Sequence, residues 1–201
     1  RCLKTTNDME ALVKEIQEVI DDRDYEMQEV LDDFLNYCYS DRLIPVSDGW
    51  KYLRVQLAGQ TIDFNVKENV YHDALHRGFR AHDYLGLYQN KSVRAIGKIE
   101  AIITAVRNEQ GELEYNVERG TMTDAHKETI HKAIENGRSN GYDIAAERYF
   151  FVEQFYDTNF RKTTPRAPMG TRIFDLTQVL ETEKIPDAEM LAKQLAEKTW
   201  E

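Results

Sequence analysis

Apolar residues at the start of the chain recur with a helical period. Met9, Leu12, Val13, Ile16, Val19 and Ile20 fall on one face, and Met27, Val30, Leu31, Phe34, Leu35 and Cys38 form a second stripe. The acidic run Asp21-Asp22-Arg23-Asp24 separates the stripes, and Asn7-Asp8-Met9-Glu10 has the form of a capping box. Two amphipathic helices joined by a short link predict an antiparallel helical hairpin within residues 8–39, with acidic outer faces.

Beyond Pro45 the period shortens to two. In Trp50 to Leu57, Leu53, Val55 and Leu57 alternate with Trp50 and Tyr52, and Ile62, Phe64 and Val66 alternate again beyond Ala58-Gly59-Gln60. Residues 50–66 are thus predicted to form a β-hairpin. Residues 67–80 are compatible with one or two helical turns. Tyr84 to Tyr88, an Asn90-Lys91 turn and Val93 to Val106 make a second hairpin, followed by a strand from Leu113 to Val117. Thr123 or Asp124 caps a helix reaching about Asn136. Arg148 to Phe155 reads as a strand, Tyr156 to Gly170 as a loop with Pro165 and Pro168, and Thr171 to Leu176 as a last strand. Pro186 opens a terminal helix with Met190, Leu191, Leu195 and Trp200 facing inward. The expected architecture is α+β: an acidic hairpin over 1–41, a small antiparallel β-barrel core over 42–176 and a C-terminal helical tail over 177–201.

Composition is that of a globular chain of 201 residues, 41% hydrophobic and 31% charged. No apolar run approaches the roughly 20 residues that span a bilayer, so no membrane association is expected. The chain opens Arg1-Cys2-Leu3-Lys4, with neither an initiator Met nor an apolar signal region; it reads as a trimmed piece with no sign of secretion. Cys2 and Cys38 form no CxxC pair, which excludes a zinc knuckle and fits a reduced, cytoplasmic setting. The net charge of −10 is unevenly spread. Residues 1–41 hold 4 basic and 12 acidic side chains, residues 42–176 hold 19 and 18, and residues 177–201 hold 3 and 6. The core is near neutral, so a basic face there can meet a phosphate-bearing partner.

Within the second hairpin, His82-Asp83, the strand ending at Tyr88 and the Ile96-Gly97 pair in the following strand carry a family resemblance. Residues 82–102 resemble the central hairpin of PUA-like domains, the superfamily that includes the ASCH and EVE families, with His82-Asp83 where Gly-Asp is usual. The resemblance implies a PUA-like pseudobarrel that binds RNA, DNA or a nucleotide-sized ligand in a cleft beside that hairpin. It also implies a reader rather than a catalyst, in EVE-type members a reader of modified bases, often found beside nuclease or modification modules.

Candidate ligand-binding residues follow from phosphate and base chemistry. Arg161, Lys162, Arg166 and Arg172, with Thr163, Thr164 and Thr171, offer cations and short donors along one predicted loop. Trp50 and Tyr88, each at a predicted strand end, are the first candidates for base stacking. His72 and His76 at i and i+4 could share a metal on a helix, but Gly78 would end that helix almost at once, so no metal is expected. Asp63 with Lys67 and Glu100 with Lys98 are fragments of a nuclease carboxylate–lysine set without its spacing. His126 and His131 are five apart and read as surface residues. No glycine-rich phosphate loop or GxSxG elbow is present, so neither a cofactor nor a catalytic residue is assigned. The first functional reading is a non-enzymatic nucleic-acid or nucleotide-binding module, part of a nucleic-acid-processing or defence system. Two alternatives stand beside it. One is an interaction or regulatory module whose hairpin, residues 8–39, binds a basic protein. The other is a metal-dependent hydrolase or nuclease built on His72 and His76.

Overall fold

A computed structural model describes residues 46–201 apart from positions 78, 143, 145, 166, 167, 169 and 170, together with seven earlier positions, Glu15, Ile16, Val19, Met27, Val30, Leu31 and Phe34. Those seven are helical, as the first stripes predict; the rest of the proposed hairpin, with Cys2 and Cys38, lies outside the described residues. A short 3-10 helix (Val46–Lys51) leads into β1 (Tyr52–Leu57), α1 (Ile62–Glu68), β2 (Val70–Ala74), β3 (Tyr84–Gln89), β4 (Ser92–Arg107) and β5 (Leu113–Arg119). Then come α2 (Asp124–Ser139), β6 (Ala146–Lys162), β7 (Arg172–Asp175), α3 (Leu176–Leu180), α4 (Ala188–Ala196) and β8 (Thr199–Trp200). The chain is α+β. None of its described helices is long and apolar enough to cross a membrane.

β4 organises the sheet. Along one edge it pairs antiparallel with β6, from Ser92↔Arg161 to Val106↔Ala146, and its other edge is shared between β3 and β5. The β3–β4 hairpin turns where predicted, because Asn90 and Lys91 both take positive φ (51° and 61°), the twist that two-residue hairpin turns require. Gly97 sits at a shift in the β4–β6 register, where a Cβ would come within 2.7 Å of Val152. The glycine of the Ile96-Gly97 pair thus has a packing reason.

The predicted 50–66 hairpin does not form. β1 pairs parallel with β3 and antiparallel with β7, while residues 62–68 form α1. Ile62 and Val66 satisfy a spacing of four as well as alternation, and five residues cannot separate the two periods. Asn69, in the left-handed region at φ 53°, ends the helix, and the buried Asn65 amide donates to the Val70 carbonyl at 2.8 Å. Residues 70–74, within the stretch read as compatible with one or two helical turns, form β2 against β6. β6 also runs seven residues past its predicted end, so residues 156–162 are strand rather than loop.

The expected small antiparallel barrel, closed or half-closed, does not close. The eight strands among the described residues form one open, mostly antiparallel mixed sheet in the order β2-β6-β4-β3-β1-β7, with β5 on β4 and β8 parallel to β6. Its end strands share no ladder; the short β7 occupies the free edge of β1 instead. Yet the sheet curls. β1 and β2 stand four strand spacings apart, roughly 19 Å in a flat sheet, and the Arg54 guanidinium still reaches the Asp73 carboxylate at 3.1 Å. Side chains, not backbone, close the seam.

Both faces are covered. Leu53, Val55, Tyr84, Tyr88, Ile96 and Phe160 pack beneath Leu176 of α3, Leu191 and Leu195 of α4, and Trp200. Leu85, Leu87, Ile99, Phe150 and Val152 form a second cluster with Ile62 of α1, on the alternate positions of β3. Ile103, Tyr149 and Phe151 meet Ile130, Ala133 and Ile134 of α2. Thr123 caps α2 as expected. In α4, Leu191 and Leu195 are buried but Met190 is exposed.

Candidate functional site

The seam between β1 and β2 brings the buried polar residues Arg54, Gln56 and Asp73 together. On β1, Leu53 and Val55 point into the helix-covered core, so Arg54 and Gln56 project from the opposite face, where both are buried. Asp73 of β2 is the hub. Its carboxylate accepts from Arg54 Nη2 at 3.1 Å, from Arg77 Nη1 at 3.2 Å and from the Ala74 amide at 3.0 Å. The Gln56 amide has two orientations, and the one with nitrogen toward the guanidinium sets donor against donor. Turned over, its oxygen accepts from Arg54 at 2.6–3.2 Å and its nitrogen donates to Thr171 Oγ1 at 3.2 Å. Burial pulls the Arg54 guanidinium below its ordinary range, an effect Asp73 opposes. Burial together with Asp73 pushes the Tyr71 hydroxyl above its own.

Aromatic rings and further arginines surround this pair. Arg54 lies over Phe150 (5.4 Å) and Phe79 (5.9 Å), Arg148 over Phe79 (4.7 Å) and Arg80 over Tyr52 (4.0 Å). Arg148 is held as a strut, donating to both carboxylate oxygens of Glu118 at 2.8 and 3.1 Å and to the Arg77 carbonyl at 3.0 Å. Arg77 is the open member, its side chain 66% exposed.

His82 closes the cluster from the connection between β2 and β3. Its ring packs against Phe79 and Phe150, and Nδ1 donates to the Arg80 carbonyl at 2.6 Å. Burial first, then the nearby Arg54, lower its pKa to about 3. With the proton on Nδ1, Nε2 is a buried acceptor that has no hydrogen-bond partner among the described residues. Arg119 braces the backbone here, donating to Asp83 Oδ1 at 2.8 Å and to the His82 carbonyl at 3.3 Å.

The residues singled out in the sequence fall in several places. Thr171 enters the seam through Gln56, and its neighbour Arg172 begins β7, half-buried and opposite Val55. Arg166 lies outside the described residues. Arg161 and Lys162 are strand residues at the far end of β6 from Phe150. Arg161 is exposed and opposite Ser92, whereas Lys162 is buried with its ammonium 5.2 Å from the Trp200 ring. Tyr88 is buried beside Trp200, ring centroids 6.0 Å apart. Trp50, on the 3-10 helix, lines a separate cleft of about 520 Å³ with Lys51, Thr177, Glu181, Thr182 and Glu183.

His72 and His76 do not share a helix. His72 lies on β2, its Nδ1 3.1 Å from Glu147 Oε2, and His76 lies in the turn that follows. Among the described residues no three His, Cys, Asp or Glu side chains converge as a metal site would require. Asp63 and Lys67 lie on α1 rather than on adjacent strands. His126 is no simple surface residue. Nδ1 accepts from the Thr123 amide, leaving Nε2–H to donate to Glu100 at 3.3 Å, and the ring stacks on Phe151 at 4.2 Å.

No family model matches the chain, and no curated protein matches its sequence. Among solved structures it is similar to a mutant of an ASCH protein from Zymomonas mobilis, at 12% identity over 70% of this chain and 87% of that one, with a TM-score of 0.31.

Proposed function

We propose that the protein is a non-enzymatic nucleic-acid or nucleotide-binding module whose ligand sits over the β1–β2 seam. The observation that carries this reading is the convergence of Arg54, Arg77, Arg80 and Arg148 on Tyr52, Phe79 and Phe150 around one buried carboxylate. Arginine on an aromatic face presents flat donors to phosphate, and Phe79, the partly exposed ring of the three, offers a stacking surface. In this reading Arg77, Arg80 and Arg172 meet phosphate at the rim. Gln56, Thr171 and the neutral His82 supply the donors and acceptors that read the edge of a base, a modified one included. Arg161, exposed at the other end of β6, is a peripheral phosphate contact.

The test is a salt titration of binding to short single-stranded RNA and DNA. Replacing Arg77, Arg80 and Arg172 by Ala should weaken binding tenfold or more and flatten the log–log salt slope by about 2, at about 0.7 per lost contact on a single strand. Arg161→Ala alone should change the slope by less than one contact. A parent protein that binds no oligonucleotide at low salt, or a triple variant with the parent's slope, contradicts the proposal.

A second reading, an interaction module using residues 8–39 against a basic protein, has one observation in its favour. Val19 and Val30, both helical, are 85% and 62% exposed, and the sequence around them is rich in acidic residues. Under that reading Val19→Asp with Val30→Asp abolishes partner capture and leaves oligonucleotide binding unchanged.

A further inference from the structure

The cleft beside Trp50 does not suit a nucleic acid, although an exposed indole at a strand entry first suggests a base-stacking platform. Trp50 is 43% exposed, and the other tryptophan, Trp200, is buried. The polar groups around Trp50 decide what its face can hold. Lys51 is the one cation among the described residues that line the cleft, and its ammonium is engaged with Asp175 at 3.5 Å and lies 5.2 Å from the Tyr52 ring. Glu181 and Glu183, both exposed, also line it. Neither carboxylate has an ion-pair partner among the described residues. A strand stacking a base on Trp50 would bring its phosphates toward two unneutralised carboxylates, a like-charge contact that opposes binding.

The same groups fit a cation. An indole face attracts a positive charge more strongly than any other aromatic side chain does. A guanidinium can lie flat on it while its edge donates to carboxylates at the rim. The floor is firm on the Trp50 side, since the 3-10 helix runs directly into β1 and the Lys51–Asp175 pair ties it to β7. Glu181 holds the left-handed position that ends α3, with its amide bonded to Gln178 and Thr177 carbonyls, which fixes where the acidic residues begin. A partly exposed tryptophan in a cleft with charged walls is the composition of an interface anchor.

We infer that this cleft is a docking pocket for an arginine-bearing segment of a partner protein, the guanidinium seated on Trp50 and paired with Glu181 and Glu183. The inference is independent of the seam: it assigns Trp50 to a protein partner and away from nucleic acid.

The test uses the full chain and a fluorescently labelled, terminally blocked peptide of alternating Gly, Ser and Arg, with a second peptide in which citrulline replaces Arg. Anisotropy titrations at low and physiological salt should show binding of the Arg peptide and none of the citrulline peptide. Trp50→Ala should weaken binding about fivefold and Trp50→Phe less. Glu181→Gln with Glu183→Gln should weaken it about tenfold and remove much of its salt dependence. Both sites are exposed, so these substitutions should leave the thermal midpoint near the parent's, and single-stranded oligonucleotide affinity should be unchanged by Trp50→Ala. Three results overturn the inference. The parent protein could fail to bind the Arg peptide at low salt. Binding could prove blind to Trp50 and to both glutamates, as attraction by the acidic first 41 residues would be. Or Trp50→Ala could weaken oligonucleotide binding, which would return the indole to base stacking.

Discussion

Replacing Asp73 by Asn tests the side-chain seam directly. The substitution keeps the size and one acceptor of the side chain but removes the charge facing Arg54, which is 3% exposed. Arg77, on a side chain 66% exposed, also loses its partner, but a solvated pair of that kind contributes less than about 1 kcal/mol. The cost therefore comes from Arg54. A buried charge stripped of its partner typically destabilises by about 3–5 kcal/mol. For a domain of this size that corresponds to roughly 6–20 °C in Tm, at about 2–4 °C per kcal/mol. Equilibrium urea denaturation of the parent, Asp73→Asn, Arg54→Met and the double variant Arg54→Met with Asp73→Leu would measure the coupling. The double variant should cost much less than the sum of the two single changes, because it leaves no unpaired charge in the seam. A loss under about 1 kcal/mol for Asp73→Asn, or simple additivity in the double variant, would refute the view that this pair closes the curled sheet.

Two further predictions concern neighbouring features. The native protein keeps His82 neutral down to about pH 3, whereas the unfolded chain takes up its proton near pH 6.5. The unfolded state thus binds more protons across that window, and stability should fall as pH drops from about 6.5 to 3, at up to about 1.4 kcal/mol per pH unit from this group. His82→Phe, which preserves the ring contacts with Phe79 and Phe150, should remove that component. A parent-minus-variant stability difference independent of pH over the window would contradict the assignment. Gly97→Ala should cost about 1–3 kcal/mol by overpacking against Val152, and an unchanged urea midpoint would show that the strands separate there without penalty.

The parts of the fold legible in the sequence are those set by neighbours along the chain. The β3–β4 hairpin depends on alternation and on Asn90-Lys91, and α2 on Thr123 and an apolar stripe; both stand close to where the pattern puts them. Contacts set at long range were not legible. β1 looked like half of a hairpin because its partners, β3 and β7, lie far along the chain, and nothing local separates helix from strand at Ile62 to Val66. The end of β6 looked like a loop because Tyr156 to Lys162 are mostly polar; they pair along the start of β4, and the end of the strand meets Trp200. The seam was missed for a related reason. In an alternating strand Arg54 and Gln56 read as solvent-facing positions, and only the curl that carries β1 over β2 buries them against Asp73. The run His72-Asp73-Ala74-Leu75-His76 did draw attention, but for its histidines. The residue that matters there is the aspartate between them.

Residue-resolved chemical-shift mapping with a short single-stranded oligonucleotide tests the seam as a ligand site most directly. Titrating the isotope-labelled full chain should move the backbone and side-chain signals of Arg54, Asp73, Arg77, Phe79 and His82 together, in a saturable way, with Thr171 and Arg172 following. Trp50, Glu181 and Glu183 should stay still. Saturable shifts confined to Arg161, Lys162 and their β8 neighbours, or none above those caused by salt alone, would contradict the account.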